Sequence, residues 1–554
     1  MQLHPMPFIT YTIGLDYGSL SCRGVLVSTI DGTIVAEDEF IYPHAVIDHE
    51  LPDGTPLPPQ WALQDPDDFR KAFLTIIPNL LKSSQVTPPQ VIAIGIDSTA
   101  STIIPVVDGL VPLCELSSFR NRPHAWPKMW KHHAAAKEAA EITEAAIARN
   151  LPIVKKSGGA IGCESLMPKV LQIFHEDMET FRNTKSFFEL CDWIVSLLAG
   201  HEIRSTPLLT CKSLWTQQNG YPTGQPFDDI VPKLAYHNGI KPVIAAPGIP
   251  VGTLHPSMAE ALGLSEDTII TAGQMDGYAA LPGNGVADEG TLMMMLGTST
   301  ADMILGREWK DIPGVCAAME DANLPGFTNY AAGQACVGDM FKWFIDNCIP
   351  ERYTLEARRR GISMHDYLSE LASTFGPGGS GLVALDWWNG NKSCLNDMRL
   401  SGLIVGMTLA TRPEHIYHAL IEASAFGARK IIDNFCQHGV PVHNIVACGG
   451  IALKNPLLMQ IYTDVLGMNI QATTCTQTAA LGSAIFAAAA DNRSGHRSVF
   501  SAIHAMGCKN TILYRPAMQN HRKYQSIYEQ YMTLHDFFGI HGKDIMHFLN
   551  DQHK

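Results

Sequence analysis

Near the N-terminus, apolar residues crowd into short runs, punctuated by glycine, aspartate and serine. Tyr11 to Asp16 reads as a strand, Tyr17 to Leu20 as a small polar turn, and Arg23 to Thr29 as a second strand. Asp31-Gly32 then turns the chain into a third, Thr33 to Phe40. Val91 to Asp97 is a continuous apolar run that ends in a carboxylate and hydroxyls. A buried strand has this pattern when its C-terminal end opens into a site. The second half repeats the grammar. Gly290 to Leu296 is an apolar strand, Gly297-Thr298-Ser299-Thr300 a hydroxyl turn, and Ala301 to Leu305 the returning strand. Asn444 to Cys448 is a strand that runs into Gly449-Gly450. The repeat predicts a duplicated α/β domain with a cleft between its halves, divided in the Gly-rich stretch 283–290.

Helical spacing predicts helices over Trp126 to Ala148, Pro413 to Phe435 and Pro456 to Leu466. Thr411 is the expected cap of the second, and Pro413 sits early, where a missing N–H is tolerated. Its Ile416, Leu420, Ala423 and Phe426 or Gly427 recur every three or four residues, which reads as core packing. Ala479 to Ala490 is Ala-rich, contains Gly482 and Ser483, and reads as a buried helix.

A chain of 554 residues exceeds one ordinary core. With 46 % hydrophobic and 17 % charged residues it is globular and not disordered. The formal net charge of −14 disfavours nucleic acid and anionic membranes as partners. Arg358-Arg359-Arg360 lies close to Glu351 and Glu356 and reads as a solvated face. The 13 cysteines form no CxxC pair, as expected of reduced thiols in a cytoplasmic protein. Met1 to Thr10 lacks the charged-then-apolar pattern of a leader. No apolar run approaches the roughly 20 residues that span a bilayer.

Several common site motifs fail. GxxxxGK[ST], HExxH and GxSxG are absent. Gly376, Gly378 and Gly381 match GxGxxG, but they precede the strand-like run Leu382 to Leu385 instead of following a strand, so they read as a loop. His132-His133 and the pair His415 and His418 read as structural or solvent-facing, not as metal ligands.

The positive signal is Gly14-Leu15-Asp16-Tyr17-Gly18-Ser19-Leu20-Ser21. A tight turn with Gly18 and hydroxyls can aim N–H groups at a phosphate, and Asp16 at the strand end can hold Mg²⁺ directly or through water. An ordinary hairpin accounts for the same residues. Gly297-Thr298-Ser299-Thr300 repeats the device, and two such hairpins can grip the phosphates of ATP.

The motif order resembles the FGGY carbohydrate kinases, of the actin-like ATPase superfamily. The pieces are IGLDYGSLSCRG at 13–24, IGIDSTAST at 94–102, ELCDW at 189–193, CKSLW at 211–215 and AGQMDG at 272–277. LGTSTADM at 296–303, LDWWNG at 385–390, ASAFGAR at 423–429 and CGGIALKN at 448–455 follow. IDSTAST, ELCDW, KSLW, LDWWNG and the length favour the ribulokinase branch.

The resemblance implies two actin-like (ribonuclease H-like) α/β domains. An N-terminal domain over 8–284 would hold sugar and the first phosphate loop, and a C-terminal domain over 285–540 would bind ATP. It implies Asp276 as catalytic base, accepting the proton of the attacking sugar hydroxyl. It implies Asp16 on Mg²⁺, and Ser19, Ser21, Gly297 and Thr298 on the phosphates. Gly449, Gly450, Ala452 and Asn455 would border adenosine, and Gly482 would either join them or pack helices. For the sugar it implies Trp130, Lys212 and Asp276, with Trp126 one turn away on the same predicted helix as an alternative aromatic and Glu164 a further candidate. The branch carries a Glu where this chain has Ala331, so sugar choice is open at that point.

The implied reaction makes L-ribulose 5-phosphate from L-ribulose and ATP in arabinose breakdown, by a cytoplasmic enzyme that is a possible homodimer. D-ribulose, xylulose or ribitol are alternative substrates. A non-catalytic actin-like ATP-binding regulator is the reading of another class.

Overall fold

The computed structural model describes residues 9–235 and 241–552. Residues 1–8, which carry most of the leader expectation, lie outside them. Two compact units account for the chain. The first takes the described residues up to Ala287 with Met319–Phe327 and Gln477–Cys508. The second takes Asp288–Ala318, Thr328–Thr476 and the described residues from Lys509 on. The units therefore exchange segments that a single division after residue 284 keeps apart.

The first unit is built on strands β1 (Tyr11–Tyr17), β2 (Ser21–Ser28), β3 (Ile34–Ile41), β4 (Val91–Ser98), β5 (Pro250–Thr253) and β6 (Ile269–Thr271). They run in the order β3-β2-β1-β4-β6-β5, and β7 (Gln274–Met275) also pairs with β4. β1 is antiparallel to β2 and parallel to β4. Every residue of β4 is buried, as its unbroken apolar run predicts, whereas the edge strand β3 alternates.

The predicted buried helix spans Thr478–Ala490 and lies against this sheet. The approach is as close as backbones allow. A Cβ on Gly14 of β1 would stand 1.8 Å from Ala480 O, and one on Gly482 would stand 1.7 Å from Ala279 O. Only glycine fits at either position. Gly482 thus takes the packing role. Thr12 Oγ1 adds a hydrogen bond to Ala484 O at 2.9 Å.

The expected helix over Trp126 to Ala148 is corrected: only Ala136–Ala148 is helical. Pro127 biases Trp126 toward extended backbone, and Trp126 has φ −87° and ψ 153°. Lys128 then exchanges both backbone hydrogen bonds with Ile103, each at 2.9 Å. Trp126 and Trp130 share no helix.

The second unit repeats the plan with β8 (Thr291–Leu296), β9 (Thr300–Gly306), β10 (Thr328–Ala332), β11 (Asn444–Cys448), β12 (Ile470–Thr473) and β13 (Thr511–Tyr514). Their order is β10-β9-β8-β11-β12-β13. β8 is antiparallel to β9 and parallel to β11, as β1 is to β2 and β4. The predicted helices appear at Pro413–Gln437 and Pro456–Leu466. Thr411 does not cap the first. Its hydroxyl accepts the Thr408 N–H at 2.9 Å, and Arg412 takes the cap position. Arg359 and Arg360 pair with Glu356 and Glu370, the solvated face expected of the basic run. None of the 13 cysteines forms a disulfide, and among the described residues no helix is long and apolar enough to cross a membrane.

Candidate active site

Parallel register brings three acids to neighbouring strand ends. Asp16 on β1 pairs with Asp97 on β4, and Asp97 pairs with Gln274 on β7. Asp276 follows directly, at the start of the helix Asp276–Gly283. Burial raises the Asp16 carboxyl, while the neighbouring Asp97 side chain and the Arg23 charge, 4.0 Å away, pull it down. Asp97 stands well above the ordinary range through burial, then the Asp16 charge, against a hydrogen bond from Ser483 Oγ at 2.5 Å. Its Oδ1 is buried and has no partner among the described residues. Asp276 is pushed up to about 7 by burial and by Asp16. The Gly277 N–H, 2.6 Å from Asp276 Oδ1, and the Lys212 charge oppose that shift.

The first hydroxyl loop closes with a Gly18 N–H to Ser21 O bond of 2.9 Å. Ser19 Oγ accepts from the Trp130 indole Nε1 at 2.9 Å, and Ser19 O accepts from Gln64 Nε2 at 3.0 Å. Ser21 Oγ donates to Glu39 Oε1 at 2.7 Å, so its hydroxyl is engaged along the β2–β3 edge.

Trp130 is 37 % exposed, while Trp126 is buried with its Nε1 on Arg120 O. Trp130 is therefore the indole available to a ligand. Lys131 Nζ lies 5.3 Å from its ring centroid, over one face. Lys212 ends the helix Thr206–Lys212, with Nζ 3.5 Å from Glu164 Oε1. Burial alone would lower Lys212 and raise Glu164. Neighbouring charge reverses both shifts: Cys211, Glu164 and Glu189 raise Lys212, and Lys212 foremost lowers Glu164.

In the second unit, Gly297 N donates to Ser299 O at 3.0 Å to close the second loop. The Gly297 and Thr298 carbonyls accept N–H groups from Val337, Gly338 and Asp339, at the start of the helix Gly338–Cys348. The Thr298 side chain is exposed. Gly449 has φ +95°, and a Cβ there would stand 2.4 Å from Leu296 O, so the position requires glycine. A Cβ on Gly450 would meet open space. Ala452 is buried, and Asn455 Oδ1 accepts the Leu458 N–H at 3.0 Å, capping the helix Pro456–Leu466. Ala331 is buried on β10 opposite Met303. Nearby, Gln334 Nε2 donates to Asp386 Oδ2 at 2.7 Å, and Tyr531 donates to Asp386 Oδ1 at 2.9 Å.

The sequence points the β4 run ending in Asp97 into a site without giving Asp97 a role, and it does not single out Ser483, Gln64, Lys169 or Glu189. Ser483 and Lys169 offered no signal, since an alanine-rich helix and a lone lysine look like ordinary structure.

The FGGY family of carbohydrate kinases, C-terminal domain, matches residues 292–490. A ribulokinase of Anoxybacillus flavithermus is 41 % identical over 541 residues, 97 % of this chain and 96 % of the relative. One from Mycolicibacterium smegmatis is 39 % identical over 534 residues, 96 % and 94 % of the two chains. The chain belongs to the ribulokinase family. Like other FGGY kinases it has the two-domain actin-like fold. A xylulose kinase structure from Rhodospirillum rubrum superimposes with a TM-score of 0.79 at 19 % identity, covering 97 % of this chain and 100 % of that one. A Plasmodium falciparum glycerol kinase with ADP gives 0.74 at 16 %, covering 95 % and 98 %.

Kinases of this family imply magnesium as well as ATP. Among the described residues no group of three or more His, Cys, Asp or Glu side chains is arranged to hold a metal ion. Magnesium bound by one or two carboxylates together with substrate phosphates needs no such group. Two adjacent carboxyls, Asp16 partly exposed and Asp97 buried with an unpartnered oxygen, suit a divalent cation of that kind.

Proposed function

We propose that this chain transfers the γ-phosphoryl group of ATP to L-ribulose, giving L-ribulose 5-phosphate and ADP, as in arabinose breakdown. The observation that carries this reading is the state of Asp276. A half-buried carboxyl with a pKa of about 7 is poised to accept a proton near neutral pH. The sugar hydroxyl gives its proton to Asp276 as its oxygen bonds to the γ-phosphorus, and the bond to the β-phosphate oxygen breaks. Base catalysis of this kind contributes about 10²–10⁴-fold, and positioning supplies much of the rest.

Trp130 offers an indole face to the apolar side of the sugar, and Lys212 donates to its hydroxyls, with Glu164 beside it. Ser19 and Ser21 serve the phosphates through the first loop, Gly297 and Thr298 through the second. Gly449, Gly450, Ala452 and Asn455 serve adenosine. Asn455 does so with its side-chain amide, whose oxygen already accepts one N–H, from Leu458. Asp16, with Asp97 beside it, would hold magnesium, which when bound neutralises phosphate charge. Thiols that form no disulfide fit a cytoplasmic setting.

Ala331 favours a second reading, in which another pentulose or a polyol is preferred. A buried alanine makes no hydrogen bond to a hydroxyl, so discrimination there is relaxed. The test is a coupled ADP-release assay with Mg²⁺ across L-ribulose, D-ribulose, xylulose and ribitol. Turnover stimulated most by L-ribulose is expected, and no stimulation by any of them would leave an ATP-binding regulator. Asp276→Asn should keep sugar binding by calorimetry and lose most turnover.

A further inference from the structure

A circuit of hydrogen bonds, buried around Lys169 and open at Trp130, joins the Ser19 loop to the Trp130 turn, and it contains a charge that the transfer step does not use. Lys169, in the helix Leu166–Glu176, is fully buried. Its Nζ donates to Ser101 O at 2.6 Å, Met129 O at 2.8 Å and Lys128 O at 3.3 Å. Three acceptors match the three protons of an ammonium group. At the other end of Ser101, the buried Glu189 accepts the backbone N–H through Oε2 at 2.7 Å. Opposite charges therefore grip the two ends of one residue. Ser101 needs the grip, because its φ of +74° is a left-handed conformation that a serine adopts reluctantly.

The circuit closes on the phosphate side. Thr102 Oγ1 donates to Gln64 Oε1 at 3.3 Å, and Gln64 Nε2 donates to Ser19 O. Ser19 Oγ accepts from Trp130, and Met129, held by Lys169, is its chain neighbour. Burial pushes Lys169 down and Glu189 up, and each charge opposes the shift of the other. Buried charges are expensive, so a pair that binds only backbone points to the geometry it imposes. Glu189 is also among the carboxylates that keep Lys212 charged.

We propose that Lys169 and Glu189 are positioning residues for the sugar, locking the Ser101 loop and the Trp130 turn so that the indole and Lys212 meet one sugar geometry. The proposal rests on the assignment of Trp130 and Lys212 to the sugar. Neither Lys169 nor Glu189 touches substrate.

The test is steady-state kinetics of the double variant Lys169→Met/Glu189→Gln, which removes both charges and leaves neither unpaired, alongside Trp130→Ala. L-ribulose and ATP are varied in turn. The expected result is a rise of about tenfold or more in the sugar KM, with the ATP KM within about twofold of the parent. A purely structural pair would lower the folded fraction, reducing kcat and leaving both KM values alone. That outcome, unchanged kinetics, or an equal rise in both KM values overturns the proposal. If Trp130→Ala raises the sugar KM and the double variant does not, only the positioning role fails. If Trp130→Ala has no effect either, the sugar-site assignment fails with it. Should the double variant not fold, Glu189→Asp, one methylene shorter, is read by the same criteria.

Discussion

Trp130 donates its indole proton to the hydroxyl of Ser19 at 2.9 Å, across 111 residues of sequence. The side chain proposed for the sugar is therefore bonded directly to one proposed for a phosphate. Trp130→Phe keeps an aromatic face and deletes the donor, while Ser19→Ala deletes the acceptor. Each should lower kcat several-fold with the ATP KM little changed, and the double variant should be no worse than the poorer single one. Full additivity in that cycle would show that the bond does not link the two groups.

The raised carboxyl of Asp276 sets the expected pH profile. A general base works only when ionised, so kcat/KM should be depressed at low pH. It should climb about tenfold per pH unit and level off above a midpoint of about 7. Residual activity of Asp276→Asn should lack that limb. A midpoint near the ordinary carboxylate value of about 4 would remove Asp276 from the role.

Two glycines should separate stability from binding. Gly482→Ala drives a Cβ into the Ala279 carbonyl, and neither backbone can yield cheaply, so a loss of about 3 kcal/mol or more is expected in thermal unfolding. Gly450→Ala places its Cβ in open space. Its melting temperature should stay near that of the parent while its ATP KM rises. A large drop in its Tm would make Gly450 a structural residue.

Ala331→Glu restores the side chain that the ribulokinase resemblance leads one to expect. It should change the ratio of kcat/KM between L-ribulose and the other sugars of the panel by about tenfold or more, leaving the ATP KM alone. A variant that is less stable but has an unchanged sugar ratio would take position 331 out of sugar choice.

Much of this was legible in the chain. The hairpins at Tyr11 to Ser28 and Thr291 to Gly306 announce themselves because apolar strands flank turns of small residues. β4 is legible because an eight-residue buried strand leaves an unbroken apolar run. The region from Trp126 to Ala148 misled because its apolar spacing continues across Pro127, where a bridge to Ile103 overrides helical periodicity. Thr411 is chemically a good cap, but its hydroxyl finds the Thr408 N–H first. At the site, Asp16 and Asp276 could be named from their motifs. The pairing of Asp97 with Ser483 could not, because it depends on register and packing far apart in the chain.

That pairing constrains how the protein is made. Ser483 lies 386 residues beyond Asp97. At typical translation rates of about 5–20 residues per second, Asp97 leaves the ribosome roughly 20–80 s before its partner. Until then the faces of β1 and β4 against which Gly14 and Gly95 admit the late helix stand uncovered. A nascent chain that ends at Ala287 has nearly all the residues of the first unit and lacks the helix that seals it. Such a fragment is expected to be recovered as a chaperone-bound or aggregated species, and supplying residues 477–508 in trans should rescue it.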